Sequence, residues 1–181
     1  MKNEILENTK SISVRSIAEL EKVRVDYLVK SYLAGYPEYN AYVNNTEFNP
    51  DSADYSMLNG LDLNNGSHLM FKEYAELVSM SVNNKFKKEM GKVNLDSIPA
   101  SERLTKMFSC IDNNITNFEV RDYLKQNAFM DDLSYGEFWK LSDMVNKFLA
   151  ECQTVGYKNI IEKLFNQKML IAPGKPAPLF Q

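Results

Sequence analysis

The clearest helical pattern in the sequence is in Ser134–Cys152, SYGEFWKLSDMVNKFLAEC. Its apolar residues recur at spacings of three and four, which places them on one face of a helix. Ser134 and Glu137 have the S-x-x-E spacing of a capping box, in which two side chains bond free backbone N–H groups at a helix start. Gly156 lies where a helix stop belongs. The pattern predicts one long amphipathic helix with a buried stripe of Phe138, Leu141, Val145, Phe148, Leu149 and Cys152.

The same helical period recurs along the rest of the chain. Thr116 and Glu119 form a second capping box. Ser67 opens a longer helix through Met70, and Gly91 closes it. The stripes of the other predicted helices are Ile17, Leu20, Tyr27, Leu28 and Tyr32; Leu104, Met107, Phe108 and Ile111; Val120, Tyr123, Leu124 and Ala128; and Ile160, Ile161, Leu164 and Phe165.

Proline divides the N-terminal helical pattern. The first helix is predicted to run to about Gly35, and Pro37 then begins a short new helix, PEYNAYV. No segment shows the sustained two-residue alternation of a strand. We therefore predict an all-α fold, an irregular bundle of about six or seven helices. Residues 1–170 form one helical domain in this prediction, and residues 171–181 form an extended proline-rich C-terminal tail.

Composition excludes several classes of function. The 181 residues carry a formal net charge of −3, so no strong positive field attracts nucleic acid or anionic lipid. No segment approaches the roughly 20 consecutive apolar residues that a membrane-spanning helix needs. The opening MKNEILENTKS has no apolar core of a signal peptide. We predict neither a nucleic-acid partner nor a membrane span.

The residues that could carry chemistry are few and scattered. His68 is the only histidine, so a zinc site is not expected, and its place near a helix start suggests a surface or capping role. Asp131 and Asp132 are expected just before a helix N-terminus, where negative charge is favourable. Cys152 lies on an apolar stripe, whereas Cys110 lies beside one and is expected to be more exposed. Whether an oxidising compartment bridges the two cysteines stays open. We predict no catalytic, cofactor-binding or metal-binding residue and no cofactor.

Tyrosines crowd the region from Tyr27 to Tyr42. Tyrosine combines an apolar ring with a polar tip and is common both in cores and at protein–protein contacts. Of the two interpretations, we choose contact with another protein for Tyr36, Tyr39 and Tyr42.

The C-terminal stretch Ile171–Gln181, IAPGKPAPLFQ, differs from everything before it. Gly174, Ala177, Pro178 and Phe180 fit the G-x-x-A-P-x-F pattern that opens thioredoxin-like domains of the TlpA and alkyl hydroperoxide reductase/peroxiredoxin type. The helical segments before it, among them AELEKVRVDYLVKSYLAGYPEYNAY, LNGLDLNNGSHLMFKEYAELV, NFEVRDYLKQNAFM and GYKNIIEKLF, resemble the helical region that precedes this domain in envelope thiol–disulfide oxidoreductases. The resemblance covers about Ser11 to Gln181.

In that family, a W-C-x-x-C motif within the thioredoxin-like domain exchanges disulfides. This chain has no C-x-x-C, and its one tryptophan, Trp139, lies in GEFWKLS. No catalytic residue can therefore be transferred. The resemblance implies a non-catalytic N-terminal region in the periplasm or cell envelope that positions the redox domain or holds a partner or second copy. Residues 171–181 would then be the linker and first residues of a thioredoxin-like domain, with Pro176, Pro178 and Phe180 packing where it begins.

Two other functions are compatible with the same sequence. The first is a stand-alone helical interaction protein whose C-terminus is a short linear motif. The second is a small-molecule or enzymatic pocket within the helical bundle. No motif in the sequence points to a particular ligand.

Overall fold

The computed structural model describes residues 14–47, 55–91 and 93–175. These residues form helices, turns and loops and contain no strand, so the predicted all-α fold is confirmed. The described part of the chain contains six α-helices, at the lower end of the predicted six or seven. They are α1 Val14–Val43, α2 Lys72–Met90, α3 Ala100–Asn114, α4 Phe118–Tyr135, α5 Ser142–Glu151 and α6 Val155–Met169.

Short 3₁₀ helices lie between several of these elements, at Ser56–Leu58, Gly66–Met70, Leu95–Ser97 and Phe138–Leu141. The described residues form two compact units, a division that the sequence did not suggest. The first unit contains the residues up to Leu61 together with His68–Val78. The second contains Asp62–Ser67 and the residues from Ser79 onward. Of the predicted tail, residues 171–175 form turns, whereas Pro176, Pro178 and Phe180 lie outside the described residues.

Helix α1 passes through Pro37 without a break, so the prediction of two helices is wrong here. Proline has no N–H, and the carbonyl of Leu33 therefore receives no helical hydrogen bond from it. The ring is tolerated because proline disfavours a helix by only about 3 kcal/mol, which side-chain packing elsewhere along the helix can offset. Three members of the predicted buried stripe, Ile17, Leu20 and Tyr32, are in fact exposed.

The core of the second unit is built on aromatic rings from α3, α4 and α5. Phe129 of α4 is fully buried and meets the ring edges of Phe108 and Phe148, with centroid distances of 5.0 and 5.5 Å. Edge-to-face pairs add favourable quadrupole interactions to the burial of apolar area. Leu133 and Ile161, from α4 and α6, are also fully buried. Helix α4 is therefore the central element of this unit.

The start of α4 differs from the predicted capping box. The cap is Asn117, whose side-chain oxygen accepts hydrogen bonds from the backbone N–H groups of Glu119 and Val120. The Thr116 hydroxyl instead bonds the Asn64 side chain, 3.0 Å away. Asparagine is as good an N-cap as threonine or better, and the competing side chain one position later takes the role.

The stretch Ser134–Cys152 is helical but does not form one helix. Ser134 belongs to the end of α4, Phe138–Leu141 form a 3₁₀ turn, and α5 ends at Glu151. Gly156, predicted as the stop, lies inside α6. The chain leaves α5 because Asp122 of α4 accepts hydrogen bonds from the backbone N–H groups of residues 153 and 154, at 2.9 and 2.8 Å. A buried carboxylate from another helix thus ends α5 at Glu151, five residues before Gly156.

The predicted start of α2 at Ser67 is wrong, because Ser67 belongs to the 3₁₀ helix Gly66–Met70 and α2 begins at Lys72. The predicted end of α2 is confirmed. Helix α2 ends before Gly91, whose φ of +61° is the left-handed conformation that glycine adopts without strain. Helix α3 begins after Pro99, and the last helix, α6, ends at Met169.

Candidate functional site

The predicted interface tyrosines lie on α1, in the first unit, and all three are exposed. Tyr36, Tyr39 and Tyr42 have 59%, 64% and 83% of their surface open to solvent. A tyrosine of a folded chain normally hides much of its ring, because burial of an aromatic side chain is strongly favourable. The core interpretation of these tyrosines is therefore wrong, while their contact with another protein stays a prediction.

Tyr36 and Tyr39 belong to a longer apolar row that the sequence analysis missed. Six exposed residues follow one another along α1 at spacings of four, three, four, three and four, which is the heptad pattern of a helix that packs on a second helix. Each has between 46% and 73% of its surface exposed. We call this row the heptad stripe; its members are Val25, Val29, Tyr32, Tyr36, Tyr39 and Val43.

The opposite face of α1 is the one that packs within the first unit. Tyr27, Ala34 and Ala41 are buried and lie seven residues apart, half a helical turn from the heptad stripe. The ring of Tyr27 is surrounded by the aromatic rings of His68, Phe71 and Tyr74. Because this inner face already has its partners, the heptad stripe is directed away from the core of its own unit.

Polar contacts fix α1 in this orientation. Arg24 Nη1 donates a hydrogen bond to Glu73 Oε1 at 2.9 Å, and the Ser31 hydroxyl donates to Glu76 Oε2 at 3.4 Å. The N–H of Glu73 itself, with Arg24, holds the pKa of the Glu73 carboxyl below its ordinary value. Glu73 and Glu76 therefore act as structural ion-pair and hydrogen-bond partners.

His68 is not at the surface, and it does not act as a helix cap. Its Nδ1 lies 2.7 Å from the Tyr27 hydroxyl, and its ring meets Phe71 and Tyr74 edge to face. The half-buried ring completes the aromatic cluster on the inner face of α1. In the described part of the chain, no group of three or more histidine, cysteine, aspartate or glutamate residues could hold a metal ion.

Neighbouring carboxylates in α4 have different surroundings. Asp131 and Asp132 lie near the end of α4, so their predicted place before a helix start is wrong. Asp131 is exposed, whereas Asp132 is buried and forms an ion pair with Arg103 of α3. The Asp132 carboxylate thus joins two helices through its ion pair with Arg103.

Both cysteines are buried and free, which corrects the expected exposure of Cys110. Burial, with a smaller contribution from Glu89, raises the pKa of the Cys110 thiol to about 11. Burial and then Asp122 raise the pKa of Cys152. The thiolate is the nucleophile in disulfide exchange, so a raised pKa and a buried sulfur both oppose that chemistry.

This environment predicts how the thiols react. At about pH 8, Ellman's reagent should modify neither Cys110 nor Cys152 in the folded protein, because access is blocked and the thiolate fraction is small. In guanidinium chloride both thiols should react within the mixing time. Free glutathione at the same pH is the control. Rapid modification of either thiol in the folded protein would contradict their assignment as inert packing residues.

The depressions in the second unit offer little to a ligand. One of about 290 Å³ is lined by several charged residues of α3 and α4 together with Cys152. Lys125 Nζ lies 2.7 Å from Asp112, and Asp122 already accepts two backbone hydrogen bonds. These charges stabilise the helix packing, so the arrangement does not favour the small-molecule hypothesis.

Comparisons of the chain with protein-family models, with curated proteins and with solved structures found no match. The described helices include none that is long and apolar enough to cross a bilayer. The heptad stripe is therefore the candidate site that the structure itself provides.

Proposed function

We propose that this chain is the non-catalytic helical region of an envelope thiol–disulfide oxidoreductase and that it binds protein through the heptad stripe. The observation that carries the binding role is the exposure of six apolar side chains at heptad spacing on a helix whose other face is buried. A contiguous exposed apolar surface of this kind marks an interaction site in a folded protein.

The placement in an oxidoreductase rests on the resemblance described for Ser11–Gln181. Its support lies in the G-x-x-A-P-x-F pattern of the tail and in the all-helical segments before it. In such a protein, disulfide exchange would belong to the following thioredoxin-like domain. The buried thiols of Cys110 and Cys152 would then serve packing only. A periplasmic or envelope location follows from the same resemblance.

The coding sequence beyond Gln181 tests this placement. We expect the reading frame to continue into a strand and then a W-C-x-x-C motif within a few dozen codons. A stop codon directly after Gln181 would overturn the oxidoreductase assignment. A continuation without a cysteine pair would overturn it as well.

A further inference from the structure

We propose that the partner of the heptad stripe is the stripe of a second copy of this chain, packed antiparallel in a twofold-symmetric helix pair. The proposal rests on the protein-binding role proposed above for the heptad stripe and specifies which protein binds there. It follows from the spacing of the six residues, from the charges beside them and from the area that they expose.

The spacing makes the stripe complementary to itself. In an antiparallel pair with its twofold axis beside residue 34, Val25 meets Val43 of the second copy, Val29 meets Tyr39, and Tyr32 meets Tyr36. Each pair occurs twice, so all six positions are used and no apolar residue is left over. The stripe starts and ends at equal distances from the axis, as a twofold contact requires.

The flanking residues favour this direction over the parallel one. A parallel pair in register would place Lys22 against Lys22 of the second copy and Glu21 beside Asp26 of the second copy, and both are like-charge contacts. In the antiparallel pair, Asp26 instead lies near the neutral Asn40 of the second copy, whose amide can donate a hydrogen bond. The half of each helix that carries most of its charges thus lies against residues 35–43 of the other, where Glu38 is the single charged residue.

The side chains next to the stripe extend the apolar surface. Leu33 and Tyr42 flank it and are 52% and 83% exposed. Gly35 lies near the twofold axis, and a Cβ added there would meet nothing within 4 Å. In the pair, this open space lies beside the central contact between Tyr32 and Tyr36 of the second copy, and it leaves room for their two large rings.

The exposed area is sufficient for a specific dimer. A tyrosine side chain buries about 150–250 Å² when it is fully covered. Four tyrosines on this face, Tyr32, Tyr36, Tyr39 and Tyr42, are each more than half exposed. Covering them in two copies would bury about 1,000 Å², and the six valines of the pair bring the area toward the about 1,200 Å² at which stable interfaces begin.

Sedimentation equilibrium over a range of concentrations tests the proposal. The wild-type chain should show reversible association to twice the monomer mass. The double variant Tyr32→Lys/Tyr36→Lys should raise the dimer dissociation constant at least about 100-fold, because lysine charges would be buried without partners at the centre of the pair. Tyr135→Lys is the matched control, since Tyr135 is 91% exposed in the second unit and outside the stripe.

Circular dichroism confirms that each variant is folded, and Val29→Glu provides a second stripe variant that should also be monomeric. A wild-type chain that stays monomeric at the highest concentrations would overturn the second copy as partner. The partner of the stripe would then have to be a different protein. The oxidoreductase assignment would not be affected, because the coding sequence tests it separately. A dimer that survives both stripe variants would likewise overturn the proposal.

Discussion

Phe129→Ala should lower the free energy of unfolding of the second unit by about 3–5 kcal/mol. Phe129 is fully buried, and its ring lies between the edges of Phe108 and Phe148. Truncation removes the burial of the ring, both edge-to-face contacts and the atoms that fill the space between three helices. The surrounding helices relax only partly, so a cavity adds to the loss.

The measurement is urea unfolding followed by the fluorescence of Trp139, the only tryptophan, which lies in the second unit. Phe118→Ala is the matched control, because Phe118 belongs to the same helix but is 40% exposed. The control should cost less than about 1 kcal/mol. Equal losses for the two variants would contradict the assignment of Phe129 to the centre of this core.

Asp122→Ala should lower the free energy of unfolding by about 2–4 kcal/mol, because the removed carboxylate is the acceptor of two backbone hydrogen bonds. The Asp122 carboxylate is buried and accepts the backbone N–H groups of Gln153 and Thr154, at 2.9 and 2.8 Å. Its removal leaves two donors at the α5–α6 junction without their acceptor, and hydrogen bonds to a charged group are among the stronger ones in proteins.

Asp131→Ala is the control for charge, since Asp131 lies on the same helix and is exposed. We expect it to change stability by no more than about 0.5 kcal/mol. Asp122→Asn should fall between the two, because the amide keeps one acceptor oxygen. The same urea titration measures all three variants. A loss for Asp131→Ala as large as that for Asp122→Ala would show that net charge, rather than the junction, is responsible.

Helix positions in the second unit could be predicted because their apolar residues form one stripe each. Leu104, Phe108 and Ile111 of α3 were expected on a buried face, and all three are buried. The boundaries within Ser134–Cys152 could not be predicted in the same way. They depend on Asp122, which is distant in sequence and ends α5 through contacts that no local pattern shows.

Helix α1 shows a different limit of sequence analysis. It carries two rows, the small buried residues Ala34 and Ala41 in line with Tyr27, and the larger exposed residues of the heptad stripe. Hydrophobicity alone favours the larger row for the core. The inner face is nevertheless the smaller row, because its Tyr27 packs against the rings of Phe71 and Tyr74. The heptad spacing of the outer row was nevertheless readable from the sequence.

The tyrosines chosen from the sequence as contact residues overlap the heptad stripe only in part. Tyr36 and Tyr39 lie on the heptad stripe and Tyr42 beside it, whereas Val25, Val29, Tyr32 and Val43 were missed. Crowded tyrosines were the signal used for the prediction, and it selects the aromatic members only. The spacing of four and three residues also selects the valines. Because it fixes which residues meet in an antiparallel pair, the relative direction of the two helices can be tested.

Disulfide cross-linking tests whether the heptad stripe binds the stripe of a second copy of this chain. Val29→Cys and Tyr39→Cys are prepared separately and then mixed under oxidising conditions. We expect a disulfide-linked dimer in the mixture of the two variants and no such dimer in either variant alone. In the antiparallel pair each new cysteine meets the other type, while identical positions are about 15 Å apart along the axis, beyond the reach of a disulfide. The wild-type chain is the control for its buried thiols.

Cross-linking of Val29→Cys alone would show a parallel pair, and no cross-link in any sample would contradict the stripe as a contact between copies.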